Sequence, residues 1–384
     1  MDRFIDTTPF FSSEQRSLAA RVSEFAAREV ESRAVVEEVN IDEALRAYIQ
    51  LLVDADLLRY SIAAPGRAFD LRSFCIIREA LSYSSSLADL AFVMQGLGTY
   101  AIGLSATEHV RDFWLERAAG GKAIAAFALT EPDAGSDVAA IKTTARREDD
   151  AYIIDGRKRF ISNAGVADFY TVFARTGTRG DGRPEISAFI VSARMPGFSV
   201  AERTEMLAPH PIGELKFEDC RVPAEDMIGS QGDGLRLALQ TLDTFRASVG
   251  AAACGLARRA LDESVSHAKS RQQFGRALSG HQLIQEKLAD MATELDAARL
   301  LVYRAAYLKD TGTERSTREA SEAKLFATEA AGRIVDQAVQ IHGGAGLVRG
   351  SVVERIYRDV RALRIYEGTS EIQKLVIAGQ LLKE

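Results

Sequence analysis

The residues of this 384-residue chain whose types and spacing could do chemistry gather in three short clusters. In Tyr366-Glu-Gly-Thr-Ser-Glu371, Thr369 or Ser370 fits a helix N-cap ahead of Ile372, Leu375 and Val376, with Gln373 as a capping-box partner. Glu367 then stands in the loop just before a helix start, among Leu363, Ile365 and Tyr366. Apolar surroundings raise a carboxyl pKa, which suits a base that takes a proton from carbon; a solvated loop glutamate fits the same spacing. Thr130-Glu-Pro-Asp-Ala-Gly-Ser-Asp137 is dense in hydroxyls and exposed amides that could bind a planar polar ligand at a strand end, and it also fits a plain turn. Arg271-Gln-Gln-Phe-Gly275 with His281-Gln282 sets a guanidinium, an aromatic and amides in one turn region. Arg271 could meet a phosphate as a bidentate partner there, or lie at a solvated helix end.

Other chemistries lack their residues. His342-Gly-Gly-Ala-Gly-Leu-Val-Arg-Gly350 has Arg349 where the dinucleotide fingerprint needs its third glycine, and it follows a helical pattern, not a strand. Ser230-Gln-Gly-Asp-Gly234 fails likewise, and no Walker lysine motif, metal-binding histidine pair or Gly-x-Ser-x-Gly elbow occurs. No metal site is expected. The net charge of −6 and pI near 5.6 leave no basic excess for nucleic acid or an anionic membrane. Cys75, Cys220 and Cys254 are odd in number and widely spaced, which points to a reducing compartment without a disulfide framework. Met1-Asp-Arg-Phe-Ile-Asp6 lacks the apolar stretch of a signal peptide, and Ala247 to Ala257 is too short to cross a bilayer. A cytoplasmic protein with no membrane span is expected.

Three segments must position the clusters. Residues 1–122 read as helical, with Ser12 or Ser13 capping a helix through Leu18, Val22, Phe25 and Val30, and further helices at Ala44 to Leu58, Ser73 to Tyr83 and Leu87 to Leu104. Residues 123–232 read as short strands: Ala123 to Leu129, a hairpin turning at Asp155-Gly156 within Tyr152 to Ile161, then Phe169 to Ala174, Ile186 to Val191, Phe198 to Ala201 and Glu214 to Phe217. Strands this short in about 100 residues suggest a small barrel or sandwich. Residues 233–384 read as long helices at Asp233 to Ala268, Gln282 to Leu308, Thr317 to Ile341 and Ser370 to Leu382, with His342 to Gly346 closing one of them.

Together, in this order, the motifs resemble the acyl-CoA dehydrogenase family of flavoproteins. Leu129-Thr-Glu-Pro-Asp-Ala-Gly-Ser-Asp137 is similar to its first signature, Arg271-Gln-Gln-Phe-Gly275 with Gln282 to Met291 to its middle, and Gln340-Ile-His-Gly-Gly344 with Ile365-Tyr-Glu-Gly-Thr369 to its C-terminal signature. The resemblance runs from about Ala123 to the C-terminus and is diffuse before it. It implies a mainly α protein with a helical N-terminal domain, a central β-barrel and a C-terminal four-helix bundle. It implies FAD held non-covalently between domains, in a homotetramer or homodimer. The cofactor positions carried over are Phe127, Leu129, Thr130, Ser136, Phe160, Ile161, Ser162, Arg271, Phe274, His281, Gln282, Gln340, Gly344, Thr369 and Glu371. The substrate positions are Ser136, Asp243, Arg246, Tyr366 and Gly368. The chemistry implied is α,β-dehydrogenation of an acyl-CoA. Glu367 removes the α-proton, its backbone N–H helps hold the thioester oxygen, and flavin N5 takes the hydride. An electron-transfer flavoprotein or similar acceptor would reoxidise the flavin. The alternative readings on the same scaffold are an acyl-CoA oxidase, a carrier-protein-linked dehydrogenase and a non-catalytic flavin-binding protein.

Some positions depart from the family pattern. Phe160 and Ser162 stand where the family commonly has tryptophan and threonine, and Met206-Leu-Ala-Pro-His-Pro-Ile-Gly213 replaces a more polar turn. The family's Pro-Glu and Gly-Gly element is missing around Pro65-Gly66, in the domain that helps shape the acyl pocket. Relatives that carry the base on an adjacent helix would place it near Phe245, which cannot serve.

Overall fold

The computed structural model describes residues 2–383 except 64, 65, 67, 314 and 315; of the Pro65-Gly66 departure, Pro65 lies outside the described residues. The chain divides into two compact units. One comprises Met1–Glu38, Asp70–Asp89 and Phe245–Glu384, and the other Val39–Phe69 and Leu90–Thr244.

In the first unit, α1 (Arg3–Thr7) leads into α2 (Ser13–Phe25), which opens on a full capping box between Ser12 and Gln15 and runs on as a π-helical turn to Val30. The other helix of the early sequence in this unit is α4 (Leu71–Ser84), whose N-cap is Asp70. Buried positions occur on nearly every face of α4, so it is a core helix and not an amphipathic surface one.

In the second unit, α3 (Ile41–Asp54) is followed by α5 (Ser86–Ser105), which starts in the first unit, and by α6 (Glu108–Ala119), which the sequence pattern did not reveal. Helix α5 is long and apolar enough to cross a membrane, although glycines interrupt its apolar sequence. Its apolar window is 89% buried inside the protein, as a core helix requires. The glycines serve packing: a Cβ on Gly98 would lie 2.7 Å from Ala125 Cβ.

The strands of this unit are β1 (Ala125–Ala128), β2 (Thr144–Glu148), β3 (Ala151–Ser162), β4 (Phe169–Thr178), β5 (Pro184–Ser192), β6 (Phe198–Arg203), β7 (Ile212–Pro223) and β8 (Met227–Ile228). They form one mixed sheet in the order β6-β7-β3-β2-β4-β5-β8, with β1 parallel to β4. The two ends of this path do not pair, so the expected barrel is not closed by hydrogen bonds among the described residues.

The expected hairpin at Asp155-Gly156 is also corrected. Strand β3 runs straight through that dipeptide, and the turn from β2 lies at Asp149-Asp150. Gly156 marks a register shift against β7 at φ 146°. A Cβ there would sit 2.6 Å from Thr143 Oγ1, so the glycine serves close backbone approach.

The later helices are α7 (Gly234–Ser270), α8 (Gln282–Asp310), α9 (Thr317–His342), α10 (Val352–Val360) and α11 (Ser370–Leu381). Four of them fall within a few residues of the sequence expectation; α10 was not foreseen. Gly343, at φ 59°, caps α9. A small hairpin, β9 (Gln272–Gln273) and β10 (Arg276–Ala277), joins α7 to α8.

Candidate functional site

In the first unit the chain leaves a 3₁₀ turn at Arg361–Arg364 and enters α11 through Tyr366-Glu-Gly-Thr369. Glu367 and Gly368 both have positive φ, 52° and 90°. Gly368 is required twice over, because a Cβ there would lie 2.5 Å from Gln373 Nε2. Glu367 sits in the left-handed region, a strain worth about 1–2 kcal/mol. Thr369 is the cap: its hydroxyl accepts the Ile372 N–H at 3.3 Å. Gln373 forms no capping box. Its Nε2 donates to the carbonyl oxygens of Glu367 (3.2 Å) and Gly368 (3.0 Å), and Lys324 Nζ of α9 donates to the latter at 2.7 Å. These bonds hold the turn from behind.

Glu367 Oε2 is buried and has no hydrogen-bond partner. Burial pushes the carboxyl above its ordinary value, against the pull of Arg78, Lys324 and Arg246. Lys324 is itself pushed down to about 8 by burial. Arg246, on α7, is buried and donates to Ser321 Oγ at 3.1 Å. Phe245 is fully buried, edge-on to Phe74 at 5.1 Å, so no base stands on α7 at that place. The arrangement offers one carboxylate of raised proton affinity, held on a rigid turn.

In the second unit, Phe127 on β1 packs on Phe173 at 4.9 Å, and Leu129 follows it, buried. Thr130 O accepts the Arg159 N–H at 2.9 Å, which ties the loop to β3. The anchor of that loop was not found from sequence: fully buried Lys158 donates to Leu129 O (3.1 Å) and Glu131 Oε1 (2.8 Å), while Glu131 accepts the N–H groups of Lys142 and Thr143. Ser136 lies exposed on this loop. Phe160, 51% exposed at φ 54°, presents its ring at the end of β3, whereas Ile161 is buried and can offer a ligand only its backbone. Ser162 Oγ pairs with His210 Nε2 at 2.8 Å, and burial pushes His210 down to about 4. Asp243, half-buried on α7, also belongs to this unit.

The remaining cofactor candidates are in the first unit and are spread out. Arg271 and Phe274 lie on the β9–β10 hairpin, Phe274 being 94% exposed at φ 52° with Gly275 beside it at 77°. His281 accompanies them, its ring 6.0 Å from Phe274, followed by exposed Gln282. Gln340 and Gly344 are exposed at the end of α9, and Glu371 is exposed in the first turn of α11. The Arg159 N–H to Thr130 O bond sets the loop, with its exposed Ser136 hydroxyl, against β3 next to the exposed and strained Phe160.

Family models match nearly the whole chain: acyl-CoA dehydrogenase N-terminal domain over residues 12–122, middle domain over 126–220 and C-terminal domain over 232–382. The chain belongs to the acyl-CoA dehydrogenase family. Such a chain is an oxidoreductase. It is 43% identical over 326 residues to a 3-(aryl)acrylate reductase of Clostridium sporogenes, covering 83% of this chain and 85% of the relative. It is 38% identical over 388 residues to subunit CarC of the caffeyl-CoA reductase-Etf complex of Acetobacterium woodii, covering 98% and 100%. An acyl-CoA dehydrogenase structure from Bacillus anthracis, complexed with FAD, superposes with a TM-score of 0.90 at 33% identity, over 99% of this chain and 69% of that one.

Proposed function

We propose that this acyl-CoA dehydrogenase family member binds FAD and dehydrogenates an acyl-CoA at its α and β carbons, with Glu367 as the base. The observation that carries the reading is the buried, unpartnered Glu367 Oε2 on a turn braced by Lys324 and Gln373. A carboxylate with no competing donor is free to accept a proton from carbon, and raised proton affinity improves that transfer. FAD, when bound, supplies the hydride acceptor. Phe127, Leu129, Thr130, Ser136 and Phe160 to Ser162 would bind it in the second unit; Arg271, Phe274, His281, Gln282, Gln340, Gly344, Thr369 and Glu371 are the first unit's candidates. Ser136, Asp243, Arg246, Tyr366 and Gly368 would contact the acyl-CoA. The division at residues 122 and 232, a homotetramer or homodimer and a cytoplasmic setting accompany this reading, and the Etf complex of a relative favours an electron-transfer flavoprotein as redox partner.

A second reading reverses the direction. Two relatives are named as reductases of unsaturated acids or thioesters, so this chain would reduce a 2-enoyl thioester, with Glu367 returning the α-proton. Anaerobic mixing of the flavin-loaded protein with butyryl-, cyclohexane-1-carbonyl- and 3-arylpropionyl-CoA tests the first reading, and the reduced protein with the matching enoyl thioesters tests the second. Bleaching by a saturated thioester, abolished in Glu367→Gln, is expected. Full bleaching in that variant removes Glu367 as the base.

A further inference from the structure

Met206 to Gly213, the turn that departs from the family pattern, leads from β6 into β7 and carries His210 between Pro209 and Pro211. Both prolines are buried, and each ring fixes its own φ at about −65°. Asn163, buried at φ 62°, donates its backbone N–H to Pro211 O at 2.6 Å and its Nδ2 to Ala125 O at 2.9 Å. These backbone ties hold the turn against the ends of β3 and β1 without using the imidazole. The imidazole makes one contact of its own: Nε2 lies 2.8 Å from Ser162 Oγ, two residues beyond the exposed ring of Phe160.

Burial keeps His210 neutral near pH 7, so its ring carries one N–H. The Ser162 hydroxyl has one proton and two lone pairs. Only one proton fits on the line between Oγ and Nε2. With the ring proton on Nε2, His210 donates to Ser162, and the hydroxyl has its own proton to offer a ligand. With the ring proton on Nδ1, Ser162 donates to Nε2 and has only lone pairs to offer. Nδ1 has no hydrogen-bond partner among the described residues, so no protein group fixes the tautomer. Two-electron reduction gives a flavin ring an N–H donor where the oxidised ring has an acceptor.

We propose that His210 is a positioning residue for the cofactor, whose change of tautomer lets the Ser162 hydroxyl donate to oxidised flavin and accept from reduced flavin. This rests on Ser162 facing the flavin, as the function proposed above has it. The protons balance: Nε2 loses one, Nδ1 gains one through water, and the hydroxyl keeps its own by turning round. No net charge is created at a half-buried site.

The test is 15N NMR of protein labelled at the histidine ring nitrogens and loaded with FAD, in which the His210 signals are assigned by their loss in His210→Gln. Spectra are taken with the flavin oxidised and again after reduction by dithionite. The proton is expected on Nε2 in the oxidised protein and on Nδ1 in the reduced one, the tautomer ratio changing by about 10-fold, the worth of one hydrogen bond. In Ser162→Ala the ratio is expected not to respond to reduction, and Ser162→Thr, which restores the hydroxyl, is expected to regain the response. A wild-type ratio that ignores reduction, a full response in Ser162→Ala, or a Thr variant that behaves like Ala overturns the proposal. Dithionite reduction needs neither a thioester nor Glu367, so such a result overturns this inference alone, whereas protein that retains no FAD overturns the reading beneath it.

Discussion

Lys324 Nζ donates to the backbone carbonyl of Gly368 at 2.7 Å, joining residues 44 apart in sequence and fixing the turn that carries Glu367. Lys324→Met leaves that carbonyl with Gln373 as its remaining donor and is expected to cost about 1–3 kcal/mol. Burial lowers the Lys324 pKa from 10.5 to about 8. Between those values the unfolded chain holds a proton that the folded chain lacks, so the Lys324 contribution to stability rises with pH across that window and is flat below it. Urea midpoints at pH 7, 9 and 10 should show this rise in the wild type, reduced in Lys324→Met.

Activity should depend on pH through Glu367. Its carboxyl is raised by burial, and only its ionised form accepts the α-proton, so kcat/KM should fall on the acid side at a pH above the ordinary glutamate value of 4.5. Glu367→Asp withdraws the carboxylate by one methylene and should lower kcat by about 100-fold or more, since proton-transfer geometry is tight. A pH-rate profile with a bleaching thioester checks both; an acid limb at the ordinary glutamate value would show that desolvation does not govern the base.

Phe160 combines positive φ with an exposed ring. Asparagine tolerates that backbone conformation well, so Phe160→Asn should leave the apoprotein as stable as the wild type or up to about 1 kcal/mol more stable. Losing the ring should weaken flavin retention by about 10-fold, a stacking contribution near 1.4 kcal/mol. Thermal melting of the apoprotein and flavin dissociation measured by fluorescence separate the two effects.

The Lys158–Glu131 pair is a second buried charge pair, and it braces the loop at 130–137. Burial holds Lys158 down to about 8, whereas Lys158, Lys142 and Thr143 hold Glu131 below its ordinary value despite burial. Glu131→Gln or Lys158→Met alone should cost about 3–5 kcal/mol by stranding the other charge, and the double variant should cost less than the sum of the two. Denaturant unfolding of the three variants checks this, with flavin content as the functional readout.

The helix start beside Glu367 was legible because local rules were enough. Thr369, one of the two expected caps, caps α11, and four long C-terminal helices appear near their expected ends, since a 3.6-residue apolar period and a capping residue act within a few neighbours. The strand region was partly misread for the same reason. Asp155-Gly156 has the composition of a tight turn, but the glycine serves close approach to Thr143 in a continuous strand, a contact 12 to 13 residues away. Gln373 was read as a cap partner, and it instead braces two carbonyls.

By itself, the sequence determined the order of motifs, the helical ends of the chain and a glutamate placed before a helix start. The tertiary structure decided what surrounds that glutamate. Arg78 and Asp89 are 11 residues apart, and nothing in their local pattern marks them as a pair. Only packing buries both, along with Ser248 and Lys324 from helices distant in sequence. A charge acts strongly on a carboxylate only when water is excluded from between them, and that exclusion is a property of the assembled core.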